Sequence, residues 1–215
     1  MGEHGFASNM DFHMEAVGDG FVEFMLASDS ETLEIYPFEF ELYVKYELKG
    51  ATLFTTYKVE NKSAGNIYFS IGGHPGFNCV LGDTLKFEHK ETLSTELLNE
   101  NALCYKKIPY LKNEDTIKIT KDVFANDALI FEGLKSSYVV LNTERYKLKF
   151  TFGNVPFLGL WAKPGAEYVC IEPWFGINDS LGADVELSKK RGIVKLSHGD
   201  VFKYTYAVEF VEKLV

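Results

Sequence analysis

Arginine is nearly missing from this chain: Arg145 and Arg191 are the only two in 215 residues. The planar guanidinium fork is the usual device for a bidentate grip on phosphate, so a phosphorylated substrate is disfavoured, lysine being the remaining route. Basic residues of both kinds number 22 against 31 acidic ones, for a net charge of -9. Nucleic acid binding needs clustered Lys and Arg to displace phosphate counterions, and an anionic membrane surface is no better matched; neither is expected as a partner. Cysteine is also scarce. Cys79, Cys104 and Cys170 are odd in number and widely spaced, without a CxxC pair, so neither a disulfide framework nor a metal site is suggested. No apolar run approaches the roughly 18 residues of a membrane span, and the opening Gly2-Glu3-His4-Gly5 is polar, unlike a signal peptide. A reducing cytoplasm is the simplest placement. Phosphate loops, GxSxG elbows and dinucleotide GxGxxG motifs are absent.

Aromatic residues are abundant, at 15%, with 18 Phe and 12 Tyr. Such side chains suit pleated, half-buried surfaces. Hydrophobic and charged shares of 46% and 25% are those of an ordinary globular chain. Phe38 to Leu48 alternates cleanly, with Phe38, Phe40, Leu42, Val44, Tyr46 and Leu48 on one face. Lys49-Gly50 turns the chain into Thr52–Val59 as a hairpin partner. Further strands are expected at Phe21–Leu26, Asn66–Ile71, Thr84–Glu88, Ala128–Phe131, Tyr138–Leu141, Tyr146–Phe152, Phe157–Trp161, Tyr168–Ile171, Ile193–Leu196 and Phe202–Val211. Asp29-Ser30-Glu31 reads as a turn, and Asn99 to Asp115 as loops and short pieces. No helix of three or more turns is expected. Many short strands joined by polar turns predict an all-β protein, an antiparallel sandwich forming one domain over residues 1–215.

Three positions stand out for chemistry. His74 lies in Gly72-Gly73-His74-Pro75-Gly76-Phe77-Asn78, straight after a strand-like run, which presents an imidazole on a stiff backbone. A structural histidine in a turn fits that segment equally well. Glu172, in Cys170-Ile171-Glu172-Pro173-Trp174, sets a carboxylate beside much apolar surface, where charge must be compensated or must serve a purpose. The bland alternative is a strand-end pairing with an amide or a lysine. His4 is a weaker candidate, since histidines near a terminus are usually solvated. Trp161 fits either a stacking platform for a sugar ring or the core, and Asp127 opens a strand where Asp is commonly a turn residue.

In order along the chain, these segments resemble the aldose 1-epimerase (galactose mutarotase-like) family, in its LacX-type bacterial branch. The matching stretches are His4-Gly5-Phe6-Ala7, Tyr36-Pro37-Phe38-Glu39-Phe40, the GGHPGFN segment, Asn126 to Phe131, Leu158-Gly159-Leu160-Trp161 and Cys170 to Trp174. The resemblance implies a large antiparallel β-sandwich, a supersandwich, that binds a hexose without a cofactor. It further implies that Glu172 takes the proton of the anomeric hydroxyl and that His74 protonates the ring oxygen. His4 would be a second histidine near that oxygen. Asp127 would bind sugar hydroxyls and Trp161 would wall the cleft, with Phe77 and Asn78 of the histidine motif also lining the sugar site. An acid and a base acting on one hemiacetal each need a pKa near the operating pH, which histidine has and which glutamate approaches in partly apolar surroundings.

Two departures from the family pattern bear on activity. Family members usually begin several strands earlier, so strands and cleft-wall residues are expected to be lacking, leaving sheet edges or apolar surface for another chain to cover, a homo-oligomer being one way. The HGFA motif is commonly followed by arginine, where this chain has Ser8. The alternative to an epimerase is accordingly a non-catalytic carbohydrate-binding or degenerate, truncated protein that keeps the fold.

Overall fold

A computed structural model describes residues 4–99, 101–183 and 186–211. Sixteen strands carry the described chain: β1 (His13–Gly18), β2 (Phe21–Ala27), β3 (Phe40–Lys49), β4 (Thr52–Asn61), β5 (Ile67–Phe69), β6 (Ile71–Gly72), β7 (Gly76–Asn78), β8 (Thr84–Asn99), β9 (Ala102–Lys118), β10 (Leu129–Glu132), β11 (Tyr138–Asn142), β12 (Lys147–Thr151), β13 (Phe157–Trp161), β14 (Tyr168–Phe175), β15 (Val194–Leu196) and β16 (Val201–Val211). The one α-helix among the described residues is α1 (Ser30–Ile35), with two short 3-10 turns at Ala7–Asn9 and Leu187–Lys189. The protein is therefore all-β and antiparallel, as its composition predicts.

The chain falls into two compact units, Met1–Phe69 with Val194–Ala207, and Ser70–Ile193 with Val208–Val215. In the first, an antiparallel sheet runs in the order β1-β2-β3-β4-β16, and β5 pairs with β15. The predicted hairpin is there as β3 and β4, turning at Gly50, which sits at φ +59 where a side chain would be strained. Its alternation fades towards the tip: Phe40 is buried, whereas Tyr46, Leu48 and Leu53 are exposed. The polar face of this hairpin closes with ion pairs, among them Lys58 to Glu60 at 2.8 Å and Lys62 to Glu60 at 2.7 Å. Asp29-Ser30-Glu31 is not a simple turn. Asp29 caps α1 and forms a reciprocal box with Thr32, each side chain bonding the other residue's backbone N–H, so a six-residue helix starts where the sequence suggests only a bend. The HGFA and YPFEF segments meet through their rings, Phe6 lying 5.9 Å from Tyr36 and 6.0 Å from Phe40.

The second unit is a sandwich. One layer is β12-β11-β8-β9 and the other is β10-β13-β14 with β6 and β7 both along the outer side of β14. Between the layers Phe87 meets Phe131 at 6.3 Å and Phe77 meets Phe150 at 5.9 Å, all edge-on. Leu85, Leu141, Leu148, Leu158, Leu160 and Ile171 complete this core with essentially no exposure. Each such side chain contributes about 1.5–3 kcal/mol by leaving water.

Two expectations are corrected here. The stretch read as loops and short pieces is strand from Ala102 on: Ala102–Lys118 is a 17-residue strand paired with β8. The period-2 signal is broken because the register shifts at four places along this pair, so apolar residues do not keep to alternate positions. The predicted strand Asn66–Ile71 is split at Ser70, β5 belonging to the first unit and β6 to the second.

Candidate active site

The segment around His74 is an interrupted strand. Gly72 pairs with Trp174 at one end and Gly76 with Cys170 at the other, and the same register carried through the break sets His74 opposite Glu172. Both of these residues precede a proline, which holds them in extended backbone. The prolines also explain the break. Gly73 N–H donates to the Pro173 carbonyl at 3.1 Å, and Ile171 N–H to the Pro75 carbonyl at 3.2 Å. The return bonds of those two pairs would need N–H groups on Pro173 and Pro75, which proline lacks. His74 and Glu172 thus occupy the non-hydrogen-bonded position between two half-closed pairs, the position at which opposed side chains of an antiparallel ladder stand closest. His74 Nε2 lies 3.6 Å from Glu172 Oε1, with the imidazole 43% exposed and the glutamate side chain only 6%. Glu172 belongs inside β14 rather than after its end, because the strand runs on through Pro173 to Phe175.

The other carboxylate oxygen has its own partner. Trp174 Nε1–H donates to Glu172 Oε2 at 3.3 Å. Along β14, Cys170, Glu172 and Trp174 point to one face, and across β13 that face carries Trp161, Gly159 and Phe157 in the same order. Gly159, directly opposite Glu172, has no side chain to fill its place, and the Trp174 indole lies there instead: a Cβ on Gly159 would come within 2.5 Å of the ring. Trp161 closes the other side, its ring meeting His74 edge-on at 6.3 Å and Tyr168 at 6.3 Å.

The remaining sequence candidates are distributed unevenly. Asn78 pairs with Tyr168 and shares the face of Glu172; its carbonyl accepts from the Tyr146 hydroxyl. Phe77 pairs with Val169 and points to the opposite face, against Phe150, so the structure does not bring it beside His74 and Glu172. Asp127 is exposed, at φ +73, two residues before β10, and its Oδ1 accepts from Ala128 N–H at 2.8 Å. Because Leu129 pairs with Leu160, Asp127 stands at the end of the sheet that carries Trp161. His4 is an exposed turn residue of the first unit, where it precedes the Phe6 anchor. Sequence reading missed Gly159 as a partner of this site and took Trp174 only for apolar surroundings. The signal for both was the pair of registered motifs, LGLW and CIEPW, which only strand pairing aligns.

Cys170 adds a third donor atom to the pair. One ligand-type atom each from His74, Cys170 and Glu172 lie within 4.8 Å of one another, a set whose chemistry would suit a borderline-soft cation such as zinc. Burial, with Glu172 as a further negative neighbour, pushes the Cys170 thiol up to about 12, so a metal would have to displace its proton.

An all-β sandwich that sets an exposed histidine against a buried carboxylate on one sheet face is an arrangement fit for acid–base chemistry. Comparison with known proteins carries this further. The sequence model of the aldose 1-epimerase family matches residues 1–205, and the chain belongs to that family. Protein LacX, plasmid, of Lactococcus lactis subsp. lactis is 29% identical over 219 aligned positions, covering 95% of this chain and 73% of LacX. A galactose mutarotase related enzyme from Lactobacillus acidophilus superposes with a TM-score of 0.92 at 31% identity, over 99% of this chain and 75% of its own. A galactose mutarotase-like protein from Lactobacillus casei gives 0.91 at 25% identity, over 98% and 76%.

Proposed function

We propose that this protein is an aldose 1-epimerase that interconverts the α and β anomers of a neutral hexose. Glu172 takes the proton of the anomeric hydroxyl while His74 gives a proton to the ring oxygen. The C1–ring oxygen bond breaks, its electron pair stays on that oxygen, and C1 becomes the free aldehyde. Rotation about C1–C2 and reclosure with the two roles exchanged return both protons and yield the other anomer. The observation that carries this reading is the 3.6 Å between His74 Nε2 and Glu172 Oε1. The two oxygens to be served are bonded to the same carbon, so an acid and a base this close together can reach both at once. The exposed imidazole can exchange protons with water, while the buried carboxylate is kept from it.

In the same reading Asp127 and Asn78 hold sugar hydroxyls, and Trp161 offers an apolar wall to the sugar's C–H face. Phe77 serves indirectly, holding β7 against Phe150. The chain acts as a single mutarotase-like domain over 1–215 in the cytoplasm, the family match reaching across both compact units. Among the described residues no helix is long and apolar enough to cross a membrane. Ser8, standing where HGFA is usually followed by arginine, favours the second reading, a non-catalytic carbohydrate-binding protein.

NMR anomer exchange on freshly dissolved α-D-glucose and α-D-galactose separates the two. Wild type is expected to speed interconversion and Glu172→Gln to leave it near the buffer rate. Sugar-dependent shifts of protein signals with no acceleration by wild type would establish the binding protein instead.

A further inference from the structure

Trp174 makes two kinds of contact at once. Its ring packs against the buried cluster of Leu103, Ile130, Phe157 and Ile177, and its Nε1–H reaches Glu172 Oε2 at 3.3 Å. Two glycines make this pose available. A Cβ on Gly159 would meet the six-membered part of the indole at 2.5 Å, and a Cβ on Gly72 would meet Cδ1 at 2.8 Å. Neither glycine is needed here for a positive φ, since neither adopts one. Their role is to leave space. A tryptophan that served only to fill the core would have no need to point its single donor at the carboxylate.

Resting on the acid–base reading of Glu172, we infer that Trp174, seated over Gly159, is a positioning residue that anchors Glu172 Oε2 and so reserves Oε1 for proton transfer beside His74. A carboxylate held by one oxygen loses the rotation that would otherwise swap or tilt its two oxygens, and the reacting one keeps a fixed height above the sheet. The charged form is also the better acceptor of an indole N–H, so the contact favours the ionised base. His74 stands across the break and Cys170 lies two residues away on β14. β13 and β10 oppose it with Gly159 and Ile130. Arg191, Glu96 and Glu132 form a separate charged set beside Ile130 and Phe157.

Because Trp161 and Trp174 are the only tryptophans, the two indole N–H signals in a 1H–15N spectrum report on this arrangement without any substrate. In wild type the Trp174 signal should move through a pH titration that disappears in Glu172→Gln. In the mutarotation assay Trp174→Phe, which keeps a ring but loses the donor, should lower kcat about tenfold with KM little changed. The acid limb of its pH–rate profile should move to higher pH. Gly159→Ala, which drives a methyl into the indole, should reproduce both effects, with near-UV circular dichroism and thermal melting confirming that the variants fold. A Trp174 signal indifferent to Glu172→Gln, or a Trp174→Phe enzyme with wild-type kcat and pH limb, would overturn the inference. Wild type that does not mutarotate sugars overturns the proposed function instead, and the indole titration then decides the positioning by itself.

Discussion

His74 and Glu172 are cross-strand partners in a ladder that two prolines have half opened. Pro75 and Pro173 each delete one donor from the flanking pairs, and the imidazole and carboxylate are left facing each other at 3.6 Å on a backbone that is otherwise paired on both sides. The site owes its rigidity to the sheet and its openness to the missing bonds.

That geometry predicts unequal but severe losses on substitution. Glu172→Gln keeps the shape and the acceptor for Trp174 but removes the base, and kcat for anomer exchange should fall by about 10³-fold. His74→Gln should cost on the order of 10²-fold, since water can reach the exposed side and substitute in part for the lost acid. Both variants should melt near wild type. Saturation-transfer NMR on glucose anomers gives the rates.

The Arg191 side chain grips Glu96 and Glu132, each at 2.7 Å, and Glu96 is buried. Arg191→Met would leave a buried carboxylate without its cation, a loss of about 3 kcal/mol. For a chain of this size that corresponds to a melting temperature lower by roughly 8 °C. Lys107→Met, which removes only the exposed contact at 3.0 Å to Glu132, should change stability by no more than about 0.5 kcal/mol. Differential scanning calorimetry on the two variants checks the contrast.

Thiol reactivity should be graded. Burial pushes the Cys79 thiol up to about 11 and that of Cys170, with Glu172 beside it, up to about 12. Cys104 is only half buried. Iodoacetamide at pH 8 should therefore modify Cys104 in the native protein and spare the other two, whereas all three should react after unfolding. Peptide mass spectrometry reads the sites directly, and rapid native labelling of Cys170 would contradict the packing of β14.

The Lys58 and Lys62 ammonium groups hold the Glu60 carboxyl down from its ordinary 4.5 to about 2. A carboxylate with a depressed pKa stabilises the fold above its unfolded value, and that contribution is lost as pH falls through the folded one. Unfolding monitored between pH 4.5 and 2 should show this loss, and Glu60→Gln should flatten it. The group is partly exposed, so 0.5 M salt should shrink the effect as well.

Much of the fold was readable because β-strand information is local. Phe157–Trp161 is a strand as expected, a short apolar run buried on both faces, and the Gly50 turn between Thr52–Asn61 and its partner is marked by composition. The β8–β9 hairpin was not readable, since its bulges scramble the alternation that a window of sequence can detect. The helix at Ser30–Ile35 was missed for a different reason: six residues carry too little periodicity, and the Asp29–Thr32 box that starts it looks like turn chemistry.

Residue types and motif order in the sequence were enough to settle the all-β class, the family and the identity of a candidate histidine and a candidate glutamate, because these depend on composition and short spacing. What only the tertiary structure decided is register. His74 and Glu172 are nearly a hundred residues apart, and nothing local says that they stand opposite each other. Nor does anything local say that Phe77 turns to the far face or that Gly159 makes room for Trp174. Strand pairing fixes all three together, since a shift of one residue would turn every side chain of the strand to the other face.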